Sequence, residues 1–315
     1  MLNLKFCKPR IFKLHRFVKT IKEILNMLEM LINPKNAERS PWWMILIGLV
    51  YGLVSLGLVQ WIFSGDAVLS RYSGMLIVTF SVMFSLHFMY FAIKNEEEKD
   101  VESRWGFFRL FEEHGKAILY FMCLFLGFLL AYSIGYMLLP GGSNHFKAQI
   151  ETYCMINRPS SFNDCVTNYV GGDVGKTTMF MTAKDKIVNI FANNVYVLIF
   201  TLIFSLIFGA GAIFILAWNA SVISAAIGIF AKSNIGNLPM GLARYMIHGT
   251  PEIGSYFAGA LAGGIISVAV INHDVKSEKF WTILQDSLNL VIFAVVMLFI
   301  AALIEVFITP VIFGG

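Results

Sequence analysis

The chain has 315 residues, of which 57% are hydrophobic and only 14% are charged, with a formal net charge of +4. Soluble domains carry about 45–50% apolar and about 25% charged residues, so this composition excludes an ordinary soluble globular domain. The apolar residues form long runs, and about 20 of them in succession are needed to cross about 30 Å of hydrocarbon. The sequence therefore predicts an all-α fold, a polytopic transmembrane helical bundle.

The first domain, residues 1–41, is strongly basic, with nine Lys or Arg residues and three Glu residues before Trp42. An excess of Lys and Arg beside the first span predicts a cytoplasmic N-terminus. Apolar residues from Ile11 to Ile32 recur at helical spacing. They predict a basic amphipathic helix that lies on anionic lipids of the bilayer surface, with docking onto a partner helix as the alternative. No nucleic-acid-binding motif accompanies the basic arm, so nucleic acid is not a predicted partner.

About six full spans follow, and the sequence places them at 42–63, 72–93, 117–139, 195–217, 252–271 and 288–309. The first three belong to a second domain, 42–139, in which a cytoplasmic amphipathic loop occupies 94–116. An extracytoplasmic loop, 140–192, separates them from the remaining membrane core, 193–315. The predicted localisation is the cell membrane, with several passes.

The extracytoplasmic loop holds two of the four cysteines, Cys154 and Cys165. Disulfides persist outside the cytoplasm, so a bond that closes this short loop is predicted, with two free thiols as the alternative. A loop of about 50 residues is too small to bury an independent core of its own. It is therefore interpreted as an outer cap or a partner-binding surface.

The apolar run from 195 to 231 is the least regular part of the membrane core. At 1.5 Å per residue it extends about 55 Å, which is too short for two crossings and a turn. We therefore predict a re-entrant or half-length helix at 219–231. Asn193 and Asn194 lead into the preceding span and Asn219 interrupts the run, so they are interpreted as helix breaks or caps. The alternative is that Asn219 only kinks a continuous helix.

The segment from Arg244 to Glu252 predicts a helix start beside a span. Thr250 is interpreted as the N-cap, Pro251 as the first helical residue and Glu252 as an acid beside the positive end of the helix dipole. His248, just ahead, is either a polar loop residue or a titrating partner. On this interpretation Glu252 stabilises the start of its own helix and has no functional role.

Glu305 lies near the end of the last predicted span and needs a counter-charge, a proton or water. Successive spans are antiparallel, so the start of one and the end of the next share a side of the membrane. We therefore predict an intramembrane polar cluster that includes Glu252, with Glu305 in contact with Arg244 or His248. An interfacial acid without a partner is the alternative.

Three blocks of sequence resemble the stage II sporulation protein M family over roughly residues 190–310. The first is Phe191-Ala192-Asn193-Asn194 with the span that ends at Trp218-Asn219, the second is His248-Gly249-Thr250-Pro251-Glu252, and the third is Ala301 to Pro310 around Glu305. The chain departs from the family at Ile247, where proline is frequent. The resemblance implies a polytopic membrane protein without known catalytic activity, whose sporulation relative anchors cell-wall hydrolases.

These observations leave two functions open. The first is a membrane scaffold that anchors or positions protein partners, and a homo-oligomer is compatible with it. The second is a transporter or channel for a small solute or ion, with a polar pocket at Glu252 and Glu305. Catalysis is not expected, since no His-Glu-x-x-His motif is present and one serine near His248 does not make a triad. No catalytic residue, no metal ligand and no cofactor is predicted.

Overall fold

The computed structural model of the chain describes residues 41–63, 65–66, 68–100, 107–158, 161–171, 182–208, 212–231, 234–272 and 277–313. Residues 1–40 lie outside this set, so the predicted basic amphipathic helix and its lipid contact stay predictions. The regular elements of the described residues are all helical. The predicted all-α bundle is therefore confirmed.

Eleven α-helices are labelled here in chain order. They are α1 Trp43–Phe63, α2 Ser73–Asp100, α3 Phe107–Leu138, α4 Gly142–His145, α5 Lys147–Asn157, α6 Phe162–Gly171, α7 Ala183–Phe208, α8 Ala212–Phe230, α9 Leu238–Asn272, α10 Glu278–Leu303 and α11 Thr309–Phe313. Short 3₁₀ turns at Leu69–Tyr72 and Ile235–Asn237 precede α2 and α9. One π-helical turn, Ile304–Ile308, joins α10 to α11.

Seven stretches of the described residues are long and apolar enough to cross a membrane. They are Trp43–Phe63, Leu69–Lys94, Gly115–Leu138, Lys186–Ile207, Ala212–Phe230, Ile235–Ile271 and Glu278–Phe313. The protein is a multi-pass membrane protein. About six spans plus one re-entrant or half-length helix at 219–231 were predicted, and the seventh candidate span, Ala212–Phe230, lies where that shorter helix was expected. Between the spans Leu69–Lys94 and Gly115–Leu138, α2 continues to Asp100 and α3 begins at Phe107, and the cytoplasmic amphipathic loop predicted at 94–116 stays a prediction.

The asparagines that were interpreted as breaks or caps lie inside helices, and this interpretation was wrong. Asn193 and Asn194 are within α7, which begins at Ala183, and Asn219 is within α8. The Asn219 side chain donates to the Ile215 carbonyl, so it is satisfied within its own helix. The division falls between Phe208 and Ala212, and the 19 residues of α8 extend about 28 Å, close to a full crossing.

Thr250 and Pro251 do not start a helix either, because α9 runs unbroken through both from Leu238. The Thr250 hydroxyl donates to the Met246 carbonyl one turn earlier. A proline within a helix removes one backbone hydrogen bond, but neighbouring helices and Ser or Thr side chains compensate for it in membranes. Glu252 consequently lies near the middle of α9 and not at the positive end of a helix dipole.

Small residues set the closest approaches between spans. α1 packs along α3 where Gly48 meets Gly127, and a Cβ on either glycine would strike the backbone of the other helix. α9 packs along α7, with Gly259 against Leu198 and Gly263 against the backbone of Leu202. From the contact of Leu198 with Gly259 to that of Leu202 with Gly263, the residue number increases in both helices, so α7 and α9 run parallel. Close backbone approach at small residues is the usual basis of helix packing in membranes.

Alternation of the seven spans determines which ends share a side of the membrane. One side of the membrane holds the ends of α3 and α8, the starts of α7 and α9, and the segment after α10. The helices between α3 and α7 lie on that side too. The prediction that the start of the Glu252 helix and the end of the Glu305 helix share a side follows directly from this arrangement.

The predicted extracytoplasmic loop is mostly helical. α5 and α6 form an antiparallel pair, here called the hairpin, and a disulfide joins Cys154 to Cys165 with 5.8 Å between their Cα atoms. The hairpin packs on α8 and on the start of α2 through a buried face of α5 that includes Gln149 and Ile150. Gln149 is fully buried and lies directly against Gly74. The loop is thus an anchored cap on the bundle.

Candidate functional site

Glu252 is half-buried and is contacted by two neighbours. The Tyr256 hydroxyl, one turn further along α9, donates a hydrogen bond of 2.9 Å to the Glu252 carboxyl oxygen Oε1. The Asn194 side chain of α7 also interacts with this carboxyl, although its Nδ2 atom is buried without a hydrogen bond of good geometry. A carboxyl that is shared between two helices requires such donors, because acyl chains offer none.

Glu305 lies on the π-helical turn at the end of α10. Its carboxyl is close enough to that of Glu252 for the two charges to interact. A π turn contains one more residue than an α turn and occurs frequently at functional sites. The sequence predicted that these two acids meet, and in the structure they lie within range of each other's charge, on α9 and on the π turn.

His248 and Thr309 connect the same two elements one turn nearer the membrane surface. The ring atom Nδ1 of His248 lies 3.2 Å from the Thr309 hydroxyl oxygen. That hydroxyl donates to the Ile304 carbonyl at 3.3 Å, within the π turn. The backbone N–H of Thr309 donates to the same carbonyl, which is the hydrogen bond of the π turn. His248 therefore contacts the end of the π turn that carries Glu305.

The predicted contact of Glu305 with Arg244 or His248 was wrong. Within the described residues no ion pair joins Glu305 to either side chain. The His248 ring contacts the Thr309 hydroxyl instead. The Arg244 guanidinium carbon lies 5.1 Å from the centroid of the Phe230 ring on α8. Helical geometry explains the outcome, since Arg244 is two turns before Glu252 on α9 and so lies about 12 Å closer to the surface.

The polar cluster continues outward to the hairpin through two tyrosines. Tyr245 of α9 and Tyr153 of α5 are hydrogen-bonded through their side chains. Burial raises the pKa of the Tyr153 hydroxyl, the neighbouring Tyr169 raises it further, and the positive charges of Arg158 and Arg244 lower it. Polar side chains thus extend from Glu252 to the disulfide-closed cap.

The surroundings of the cluster limit its chemistry. Two cavities stand out in the described part of the chain. One is an apolar surface depression of about 400 Å³ beside Trp42 and Trp43, and the other is an apolar gap of about 10 Å³ between Phe121 and Phe257. Neither contacts Glu252 or Glu305. Among the described residues no group of three or more His, Cys, Asp or Glu side chains is arranged to hold a metal ion.

Sequence reasoning missed the side chains that contact Glu252. Tyr256 lies four residues after Glu252, on the same face of α9. That spacing would have indicated Tyr256, once the helix was known to continue through Pro251. Asn194 is 58 positions before Glu252, and no local signal connects the two.

A family model described as Stage II sporulation protein M matches residues 76–310, about three quarters of the chain. The match starts well before residue 190, so it includes most of the second span and the whole third span. It contains every residue of the polar cluster and the whole hairpin. No curated protein and no solved structure matches the chain.

Proposed function

The chain belongs to the stage II sporulation protein M family, and on that premise we propose that it is an integral membrane scaffold that anchors or positions partner proteins. On this proposal the protein binds its partners and does not catalyse a reaction. The local chemistry is consistent with that, since the Ser255 hydroxyl donates to the Pro251 carbonyl and His248 contacts Thr309. No serine–histidine pair therefore forms in this part of α9.

The observation that carries the proposal is the construction of the hairpin. It is closed by the Cys154–Cys165 disulfide and anchored through the buried Gln149. Its free face exposes Met155 and Ile156, at 65% and 48% of their surface. Adjacent exposed apolar side chains on a rigid element are typical of protein contact surfaces. A cap that served only to cover the bundle would not need them.

The proposal includes an orientation. We propose that the N-terminus is cytoplasmic and that the hairpin faces the opposite side, where a disulfide is stable. Partners with domains outside the cytoplasm would then bind the hairpin, and the basic N-terminal segment would hold anionic lipid or a cytoplasmic partner.

Site-specific photo-crosslinking in native membranes tests the scaffold. A crosslinking amino acid at Met155 is expected to capture a defined partner, which Ile156→Asp should abolish while the purified bundle keeps its thermal stability. The matched control is the same crosslinker at Tyr196, a 65% exposed residue of α7 within a span. The proposal fails if the hairpin position captures nothing beyond what the Tyr196 position captures, or if Ile156→Asp leaves the crosslinks intact.

A second function is favoured by one specific observation, an acid on a π turn within range of the charge of a second acid. We propose as the alternative that Glu252 and Glu305 form the polar pocket of a small-solute or ion transporter. Acids inside a span mark ion and proton pathways in many membrane proteins. Opening of the bundle would be needed, since the cluster is packed.

Reconstituted liposomes separate the two functions. Transport predicts a flux of ions or protons that depends on pH and that Glu305→Gln changes by about tenfold or more. The control variant is Glu278→Gln, which alters an exposed acid at the far end of the same span. A wild-type protein that gives no flux above empty liposomes contradicts transport and leaves the scaffold as the proposed function.

A further inference from the structure

We propose that the exposed face of α2 is a contact between two copies of this chain in the membrane, in which His87 of each copy is hydrogen-bonded to Tyr90 of the other. This face is opposite to the one that carries Ser81 and Ser85, which are buried in the bundle. The contact does not depend on the proposed scaffold or transport function.

His87 is an exposed histidine inside a membrane span. It lies seven residues before Lys94, where the span Leu69–Lys94 ends, so it is about 10 Å within that span. By contrast, His248 of α9 is buried and contacts Thr309. Acyl chains offer no hydrogen bond, and histidines inside spans almost always face protein or water. An exposed histidine at this depth therefore indicates a surface that another polypeptide covers.

The hydrogen bonds of His87 within its own chain are incomplete. The His87 ring donates to the Phe84 carbonyl, one turn earlier, and its centroid lies 4.2 Å from that of the Phe88 ring. A neutral imidazole has one N–H donor and one acceptor nitrogen. Among the residues that the structure describes, no side chain donates to the acceptor nitrogen of His87. The missing partner is therefore a hydrogen-bond donor.

The same face of α2 carries such a donor at Tyr90. This tyrosine is 60% exposed, and within the described residues its hydroxyl has no hydrogen bond. It lies three residues after His87, which is a rise of about 4.5 Å along the helix. Side chains of a helix lean toward its N-terminus, and tyrosine is longer than histidine. The Tyr90 hydroxyl therefore extends back toward the level of the His87 ring.

A second copy of the chain fits this face by symmetry. Two copies insert into the membrane in the same orientation, so their α2 helices run in the same direction at the same depth. A two-fold contact brings residue i to residue j and residue j to residue i. Tyr90 of each copy then donates to His87 of the other, so one face supplies both halves of the pair. Met83 and Leu86, which are 58% and 38% exposed on this face, provide the apolar contact around it.

Energy transfer between labelled copies in phosphatidylcholine liposomes tests the contact. Full-length protein with a donor or an acceptor fluorophore at its C-terminus is diluted with lipid, and the dimer fraction is read from the transfer. His87→Phe and Tyr90→Phe each keep an aromatic ring and remove both hydrogen bonds of the dimer. We expect either variant to raise the dissociation constant of the dimer about tenfold. Tyr196→Phe, which alters an exposed tyrosine of α7, is the matched control and should leave the dimer unchanged.

A mixture of the two variants distinguishes a reciprocal pair from a general effect on the helix. When His87→Phe carries the donor and Tyr90→Phe carries the acceptor, the mixed dimer keeps one hydrogen bond, from the intact Tyr90 to the intact His87. We expect this dimer to bind about threefold more tightly than either variant binds itself. A mixed dimer no tighter than the two variant dimers would overturn the reciprocal pairing.

Cysteine crosslinking locates the contact independently of its hydrogen bonds. In a chain with Cys7→Ala and Cys123→Ala, oxidation is expected to join two copies through Met83→Cys and not through Ile203→Cys, which is 43% exposed on α7. Equal crosslinking at the two positions would overturn the proposal. Energy transfer in the wild-type protein no greater than that of randomly distributed molecules would overturn it as well, and His87 would then face lipid or a different protein.

Discussion

Gly48 and Gly127 lie in backbone contact where α1 crosses α3, and a Cβ on Gly127 would stand 2.8 Å from the Cα of Gly48. No side-chain rotation relieves such a clash, because the obstacle is main chain. The two helices must move apart before either glycine can be replaced.

Gly48→Leu is therefore expected to lower the free energy of unfolding in detergent by about 1–3 kcal/mol, the usual cost of overpacking. The measurement is the midpoint of thermal unfolding. Gly57→Leu is the control on the same helix, since nothing lies within 4 Å of a Cβ at Gly57. Similar losses of stability in both variants would show that the close contact at Gly48 does not contribute specifically to the stability of the bundle.

The hydrogen bond from Tyr256 to Glu252 gives a second prediction. Tyr256→Phe removes a donor from a carboxyl inside the bundle, so stability should fall by about 1–3 kcal/mol. Tyr196→Phe is the matched control, because Tyr196 is 65% exposed on α7. The effect of Tyr256→Phe should shrink in a Glu252→Ala background, where the acceptor is already absent. An undiminished effect in that background would contradict the pairing.

The membrane architecture could be predicted from composition, because long apolar runs have few structural solutions. That Glu252 and Glu305 lie on the same side of the bundle was predicted from the alternation of spans. Local rules failed at Pro251 and Asn219, where capping preferences suggested helix ends. In a bundle, packing against neighbouring helices outweighs the loss of one backbone hydrogen bond, so these helices continue.

Contacts between distant parts of the chain were beyond local prediction for a different reason. Thr309 and His248 are 61 positions apart, and the π turn that brings the Thr309 hydroxyl to the His248 ring leaves no signal in composition or periodicity. The same holds for Tyr153 and Tyr245, which are 92 positions apart in the sequence.

The disulfide of the hairpin gives a third prediction. Cys154→Ser opens a short covalent loop, and a bond across such a loop contributes about 3 kcal/mol. Limited proteolysis within the hairpin should therefore accelerate by about a hundredfold, while the spans stay protected. Cys123→Ala, which alters a buried free thiol of α3, is the control that leaves the bridge intact. Unchanged proteolysis in Cys154→Ser would contradict a stabilising role for the bridge.

A final prediction concerns pH at the base of the hairpin. Burial lowers the pKa of His145, and a hydrogen bond to the Pro140 carbonyl partly opposes this shift. The unfolded chain then binds a proton more readily than the folded one, so stability rises with pH between the lowered pKa and the ordinary value near 6.5. Acidification from about pH 7.5 to about pH 5 should lower the thermal midpoint. His145→Gln, which cannot titrate, should reduce that dependence, and an identical pH profile in this variant would contradict the assignment to His145.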